Sequence, residues 1–199
     1  MNDSKSEAIS DFIAKKTGLL SDGSSYSKAM LAKLRQGIGK LPESYPDVWE
    51  IFLVDLDERF LSSDGILSDE EEVIYTIMTL YALHQQSNEK PMCAGKDSFG
   101  AAIAKLLESD GRNEKALKRR FDAIITAKDL AELSFHARGM IKQMSRKGIP
   151  MDYKRFASDL YFFHCTDAKN RGLLRWGEDY YRNFKVGNIE KEEVNNEQE

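Results

Sequence analysis

Apolar side chains recur at intervals of three and four residues along most of the chain, the spacing that gathers them on one face of an α-helix. Ala8, Ile9, Phe12 and Ile13 predict a first helix from near Ser4 to Lys16, with Gly18 and the Ser21–Ser24 stretch as the loop after it. Met30, Leu31, Leu34 and Ile38 share a face of a second helix over about Ser25 to Gly37. Pro42 and Pro46 punctuate the next connection, and Pro46 suits a first helical turn, where its missing N–H costs nothing. A third helix is then expected to carry Val48, Trp49, Ile51, Phe52, Leu56 and Phe60. Nowhere does the chain alternate at period two, so no sheet is predicted.

Polar signals mark where helices begin. Ser68 with Glu71 three residues on is a capping box, opening a fourth helix through Val73, Ile74, Ile77, Met78 and Tyr81. Asp97 or Ser98 precedes a fifth helix that buries Phe99, Ile103, Leu106 and Leu107. Asn113, Asp129, Asp152 and Asp167 stand at the N-cap position of four more, the last ending near Phe184. The expected fold is therefore all-α, a helical bundle of about nine helices in two halves: residues 1–86, a polar linker at 87–96 containing Pro91, and residues 97–186. The acid-rich tail, 187–199, is expected to be disordered.

Composition agrees with a folded chain, since 41% of the residues are hydrophobic and 31% charged. Apolar runs such as Ile51–Val54 fall far short of the roughly 20 residues a bilayer crossing needs, and the N-terminus lacks a secretion-signal layout. No membrane association and a cytoplasmic location are expected. There Cys93 and Cys165 would be reduced thiols, and without a CxxC no structural zinc is expected. The net charge of −4 at first argues against a polyanionic partner, but the charge is unevenly spread. Residues 1–95 carry a net −7, residues 96–155 a net +6 and residues 156–199 a net −3. Since fields are screened within about 8 Å at physiological salt, a local basic face can act inside an acidic protein.

Catalytic chemistry finds little footing. His84, His136 and His164 include no pair at metal-ligand spacing, and adjacent residues such as His164 and Cys165 point about 100° apart on a helix. The run Asp69–Glu72 is accounted for by the favourable field of a helix N-terminus. No phosphate loop, dinucleotide fingerprint or nucleophile elbow occurs, so neither an enzyme nor a cofactor is expected, and a helical enzyme built around His136 or His164 ranks last.

The basic residues are more informative. With Leu117, Phe121, Ile124 and Ile125 facing the core, Lys115 and Arg119 lie on the opposite side of the sixth helix, flanked by Lys118 and Arg120, with Arg112 just before it. On the seventh, Arg138, Lys142 and Arg146 share a face with Phe135, a residue that reads either as a second buried face or as a base-stacking platform. Lys28 and Arg35, seven residues apart on the second helix, are nearly aligned, with Lys33 on the polar half. Such stripes suit a phosphate backbone, although helical charge is often only a solvated face, and spacing alone leaves both readings open. The nucleic-acid reading requires these cations to converge from separate helices into one groove.

A resemblance bears on that choice. Ser98–Ala104, Asp110–Glu114, Arg119–Ile124, the Asp129-Leu130 helix start, the Ile149–Tyr153 turn, Asp159-Leu160, Arg175-Trp176 and Tyr180–Arg182 follow one another in the order found in the CasB family. More loosely, Lys33-Leu34-Arg35 and Trp49 match its N-terminal part. The chain thus resembles the small subunit of the type I-E CRISPR Cascade complex over about residues 25–185. The resemblance implies a non-enzymatic helical scaffold, present as two copies beside other Cascade subunits, that helps hold guide RNA, target DNA and the displaced strand. Carried over position by position, it assigns nucleic-acid contact to Arg112, Lys115, Lys118, Arg119 and Arg120, and to Lys28, Lys33 and Arg35. Arg138 and Lys142 are added from their helical face alone. The alternative from another class is a protein–protein adaptor whose basic surface meets acidic partners.

Overall fold

The computed structural model describes residues 2–109, 114–164 and 169–183, with the side chains of residues 2, 3 and 164 left aside. Within them the chain is helical, with no strand. The helices are α1 (Asn2–Leu20), α2 (Ser25–Gly37), α3 (Trp49–Leu53), α4 (Asp69–His84), α5 (Phe99–Ser109), α6 (Glu114–Ile125), α7 (Leu130–Lys147), α8 (Tyr153–Tyr161) and α9 (169–183). Arg112, the Asn113 and Asp167 caps, Cys165 and the 187–199 tail lie outside the described residues.

The start signals act as their chemistry dictates. Ser68 Oγ accepts from the Glu71 amide while the Glu71 carboxylate accepts from the Ser68 amide, closing the capping box. Asp129 and Asp152 accept from the Glu132 and Arg155 amides. At the fifth helix the capping side chain is Ser98, accepting from Ala101 N–H. Helix α7 ends where Gly148 takes φ 62°, a conformation costly for residues with a Cβ, and returns its N–H to the Met144 and Ser145 carbonyls.

Two helices depart from the periodicity. Helix α1 runs through Gly18 to Leu20, because Leu20 is buried against the core and offsets the modest cost of a helical glycine. The expected third helix is instead broken into a 3₁₀ turn at Pro46–Val48, the short α3, and a second 3₁₀ turn at Glu58–Phe60. Asp55 sits between them at φ 63°. Its carboxylate is drawn to Lys15 Nζ at 3.0 Å and Lys16 Nζ at 3.7 Å on α1, and Asp57 caps the following turn through Arg59 N–H. The apolar residues still reach the core, Phe52 and Phe60 each at 1% exposure.

One cluster of buried side chains extends from Ile9 to Tyr180. Helix α4 lies at its centre, touching α1, α2, α7 and α8, while α1 packs along α8 and α6 along α7. Residues 87–96 run beside the turn before α8: Met151 N–H bonds Met92 O, Asp152 N–H bonds Asp97 O, and Gly95 approaches Pro150 and Met151 too closely for a side chain.

Candidate nucleic-acid interface

Helices α6 and α7 lie side by side, with Leu117, Phe121 and Ile124 of one and Leu133, Ala137, Met140 and Met144 of the other buried. Above this floor opens a cleft of about 590 Å³, lined by Leu106, Ala116, Leu117, Arg120, Gly139, Lys142, Gln143, Arg146 and Lys147. Its walls carry four cations and no carboxylate. Arg120, Lys142 and Arg146 have no ion-pair partner among the described residues, and Lys147 donates to the Ser109 carbonyl at the end of α5. Unpaired cations close to one another repel in the free protein, and an anion spanning them relieves that repulsion. Arg120 is in reach because it sits one turn beyond Ala116, which also lines the cleft. Lys142 and Arg146 repeat at the same interval on α7.

The remaining basic residues are distributed elsewhere, so the single groove expected from sequence is instead a set of separate recesses. Lys115 and Arg119 are exposed on α6 but do not line the cleft. Lys118 turns toward α9: it pairs with Asp122 at 3.0 Å, and that hydrogen bond, with a smaller contribution from Tyr181, raises its pKa. Lys28 and Arg35 line a second cleft of about 520 Å³ between α2 and the 85–89 segment, together with Ser27, Gln86, Asn88 and Glu89. There Arg35 is half-buried, its pKa lowered by desolvation, and it donates to the Ala82 carbonyl at 3.3 Å. Lys33 is half-buried on α2 and lines neither cleft. The Asn88 side chain, in the wall of this second cleft, donates to Ser145 O and Oγ, next to Arg146 of the first.

Arg138 enters a third recess, a groove of about 340 Å³ shared with Lys40, Leu41, Pro42, Leu67, Glu72 and Phe135. Phe135 is not a second buried face, since 69% of it is exposed. Lys40 rests on the Tyr45 ring, its Nζ 4.1 Å from the centroid. Sequence reading omitted Lys147 from the α6–α7 cleft, because a lysine in the last turn of a helix is already explained by the helix dipole.

The histidines have other surroundings. His84 is fully buried, with Nδ1 3.1 Å from the Tyr153 hydroxyl and Nε2 2.9 Å from the Ile149 carbonyl. Desolvation pulls its pKa down to about 4, so the neutral ring bridges α4 to the 149–153 turn. His136 approaches Glu132 at 4.0 Å on the surface of α7, and the His164 side chain lies outside the described residues. Among the described residues no three His, Cys, Asp or Glu side chains gather as a metal would require, and no helix is long and apolar enough to cross a membrane.

Among the described residues the chain is a helical bundle with a surface cleft lined by four lysine and arginine side chains and no carboxylate, and the class this defines is a helical scaffold. The family model described as CRISPR-associated protein Cse2 matches residues 30–181, more than half of the chain, so the chain belongs to the Cse2 (CasB) family, the small-subunit family of Cascade. The structure is similar to the crystal structure of CasB from Thermobifida fusca, with a TM-score of 0.72 and 27% identity over 87% of this chain and 97% of that one. No curated protein sequence matches the chain.

Proposed function

We propose that this Cascade subunit is non-catalytic and works in the cytoplasm, as two copies within the complex, holding guide RNA paired to target DNA and the displaced strand during antiviral defence. Opening a duplex against a guide is nearly balanced, so contacts to backbone phosphates can tip it toward the open R-loop. Base pairing reads the sequence, and the protein needs only charge and shape.

The single groove joining every basic residue does not form, and the observation that supports this reading in its place is narrower: Arg120, Lys142, Arg146 and Lys147 share one cleft without a carboxylate. Lys28 and Arg35 in the α2 cleft supply a second set of cations, and Lys33, Lys115, Arg119 and Arg138 add to the positive surface around them. Arg112 is carried by family resemblance alone. The test is fluorescence anisotropy with labelled single-stranded DNA and with RNA–DNA duplex across a salt series. Neutralising about four phosphates gives a log–log slope near −3 for a single strand. Loss of about half of that slope in the Arg120→Ala, Lys142→Ala double variant is the expected result, and undetectable binding at low salt overturns the reading.

The Phe135 groove favours a second contact, with protein. Phe135 and Leu41, both exposed, flank Leu67 there, and aromatic side chains of this kind anchor interfaces. A neighbouring Cascade subunit is the partner this surface suits. An adaptor that used only this surface would assemble normally when the α6–α7 cations are removed.

A further inference from the structure

Along the Phe135 groove two helices lie side by side, and each gives it one stripe of side chains. Helix α7 contributes Ala131, Ser134, Phe135 and Arg138. Helix α4 contributes Glu72, Tyr75, Thr76 and Thr79. Both sets are spaced i, i+3, i+4, i+7, the positions that share one face of a helix. The two helices run in the same direction, because Asn88, just past the end of α4, bonds Ser145 near the end of α7, and His84 pairs with the Ile149 carbonyl just beyond it. Thr79 and Arg138 therefore share one end of the groove, and Glu72 and Ala131 the other. Seven residues of helix rise about 10 Å, so the groove is two helical turns long.

Its floor is built of small side chains, Ala131, Ser134, Thr76 and Thr79, which let helix axes approach to about 8–10 Å. The Thr79 hydroxyl already donates to the Thr76 carbonyl, so an apolar group can cover it without stranding a donor. Phe135, Leu41 and Leu67 stand on the rim, the first two mostly exposed. Trp49, also partly exposed, reaches the rim through the bond from its Nε1 to the Pro42 carbonyl, and the exposed Ile66 adjoins Leu67. Exposed large apolar side chains gathered in this way mark a contact surface. The cations sit together at one end. The turn at Gly39, with φ 77°, passes so near Arg138 that a Cβ there would lie 3.6 Å from its Nη1, and Lys40 follows in that turn. Neither cation has an ion-pair partner among the described residues.

We propose that this groove takes a two-turn amphipathic helix of a partner protein, its apolar residues laid between α4 and α7 against Phe135, Leu41 and Leu67, and its carboxylates beside Arg138 and Lys40. A third helix seats in the furrow between two neighbours as ridges enter grooves, and an apolar stripe at i, i+3 and i+4 matches the spacing of the walls. A carboxylate is the complementary charge for two unpaired cations, and beside an apolar surface that attraction is screened less than in open water. Aliphatic walls with one exposed ring suit leucine-type anchors better than a run of stacked bases. The proposal rests on the reading of this groove as a protein contact and adds what the partner must carry.

The test titrates the full chain into two labelled, stapled helical peptides that share one leucine stripe, one with glutamate and one with lysine at the flanking positions. The glutamate peptide is expected to bind about tenfold tighter than the lysine peptide, Phe135→Ala to weaken it about tenfold, and Arg138→Glu to reverse the preference. Phe135 is mostly exposed, so its truncation leaves the fold intact. The Arg120→Ala, Lys142→Ala variant is expected to bind the glutamate peptide as the native chain does, and loss of binding there places the peptide in the α6–α7 cleft and overturns the proposal. Equal affinity for the two peptides, or binding indifferent to Phe135→Ala, overturns it too. Two other occupants have their own signatures, each with no peptide bound and each against the proposal: weaker single-stranded DNA binding in Phe135→Ala marks a base-stacking platform, and self-association in sedimentation that Phe135→Ala abolishes marks a second copy. If no peptide binds yet Phe135→Ala no longer co-purifies with other Cascade subunits, the acidic helix is excluded and the reading of the groove as a protein contact stands.

Discussion

The seam where α8 and α9 meet, and the cleft between α6 and α7, treat charge in opposite ways. In the seam Asp159 is nearly inaccessible, its side chain 4% exposed, yet it accepts from Trp176 Nε1 at 2.6 Å and from Arg175 Nη2 at 2.8 Å. Burial raises its pKa, and those two donors oppose the rise. Nearby, Asp179 accepts from Ser98 at 2.6 Å and from Arg155 at 2.7 Å. Each charge there has a partner within the fold. In the cleft Arg120, Lys142 and Arg146 have none among the described residues. A buried charge must be paired to be tolerated, while a surface charge left unpaired at the edge of a cleft is available to a ligand. Pairing, more than the count of lysines and arginines, separates the charge of the seam from the charge of the cleft in this molecule.

The comparison can be broken most forcefully in the seam. Asp159→Ala leaves the Trp176 N–H buried without an acceptor and removes a carboxylate from a packed site. Chemical denaturation is expected to show a loss of about 3 kcal/mol, and a loss below about 1 kcal/mol would mean the seam does not depend on that pairing. Gly100 lies in the same region, close against the Trp176 backbone, and a side chain there would collide with the Trp176 carbonyl.

His84 gives a pH-dependent test of nearly the same size. Its pKa is about 4 in the folded chain and about 6.5 in the unfolded one, so between those values the unfolded chain binds more protons. Stability from this residue is therefore full above pH 6.5 and is lost as pH falls toward 4, by about 3 kcal/mol in all. Urea midpoints measured across that window for the native chain and for His84→Gln should converge as pH falls. Parallel curves would show that the buried imidazole does not carry the effect.

In the cleft the expectation reverses. Arg120→Ala with Lys142→Ala should lower affinity for single-stranded DNA by about tenfold at low salt and change folding stability by less than about 0.5 kcal/mol, because neither side chain has an ion-pair partner among the described residues. A large drop in the unfolding midpoint would show that the cleft is structural. Lys118→Ala gives the smallest effect and the sharpest control. It is a basic residue on the same helix, but it is held by Asp122 and faces α9. Its removal should leave the anisotropy titration unchanged, and an effect equal to that of Arg120→Ala would mean that the net charge of α6, not its orientation, governs binding.

Much of this fold was legible in the residues. Three- and four-residue apolar spacing, with Ser68/Glu71, Asp129 and Asp152 as start signals, locates α4, α7 and α8, because caps and amphipathic faces are local properties. The third helix was not legible: it stops before Asp55, which takes φ 63° and whose carboxylate meets two lysines on a different helix. The site was legible in part. The wheel put Lys118 and Arg120 together as flanking residues of one basic face, yet Asp122 on the same helix pairs with the first and α7 completes a cleft around the second.

The sequence alone determined the all-helical class, the helix starts, the concentration of positive charge between residues 96 and 155, and the family to which the order of short motifs points. These depend on neighbours within one or two helical turns, or on order along the chain. Only the tertiary structure decided which cations face open space, which are consumed by carboxylates, and that Arg138, Arg35 and Arg120 enter three different recesses. The reason is geometric: a helical wheel fixes the direction of a side chain about its own axis, whereas a binding surface is made by whichever second helix lies across from it.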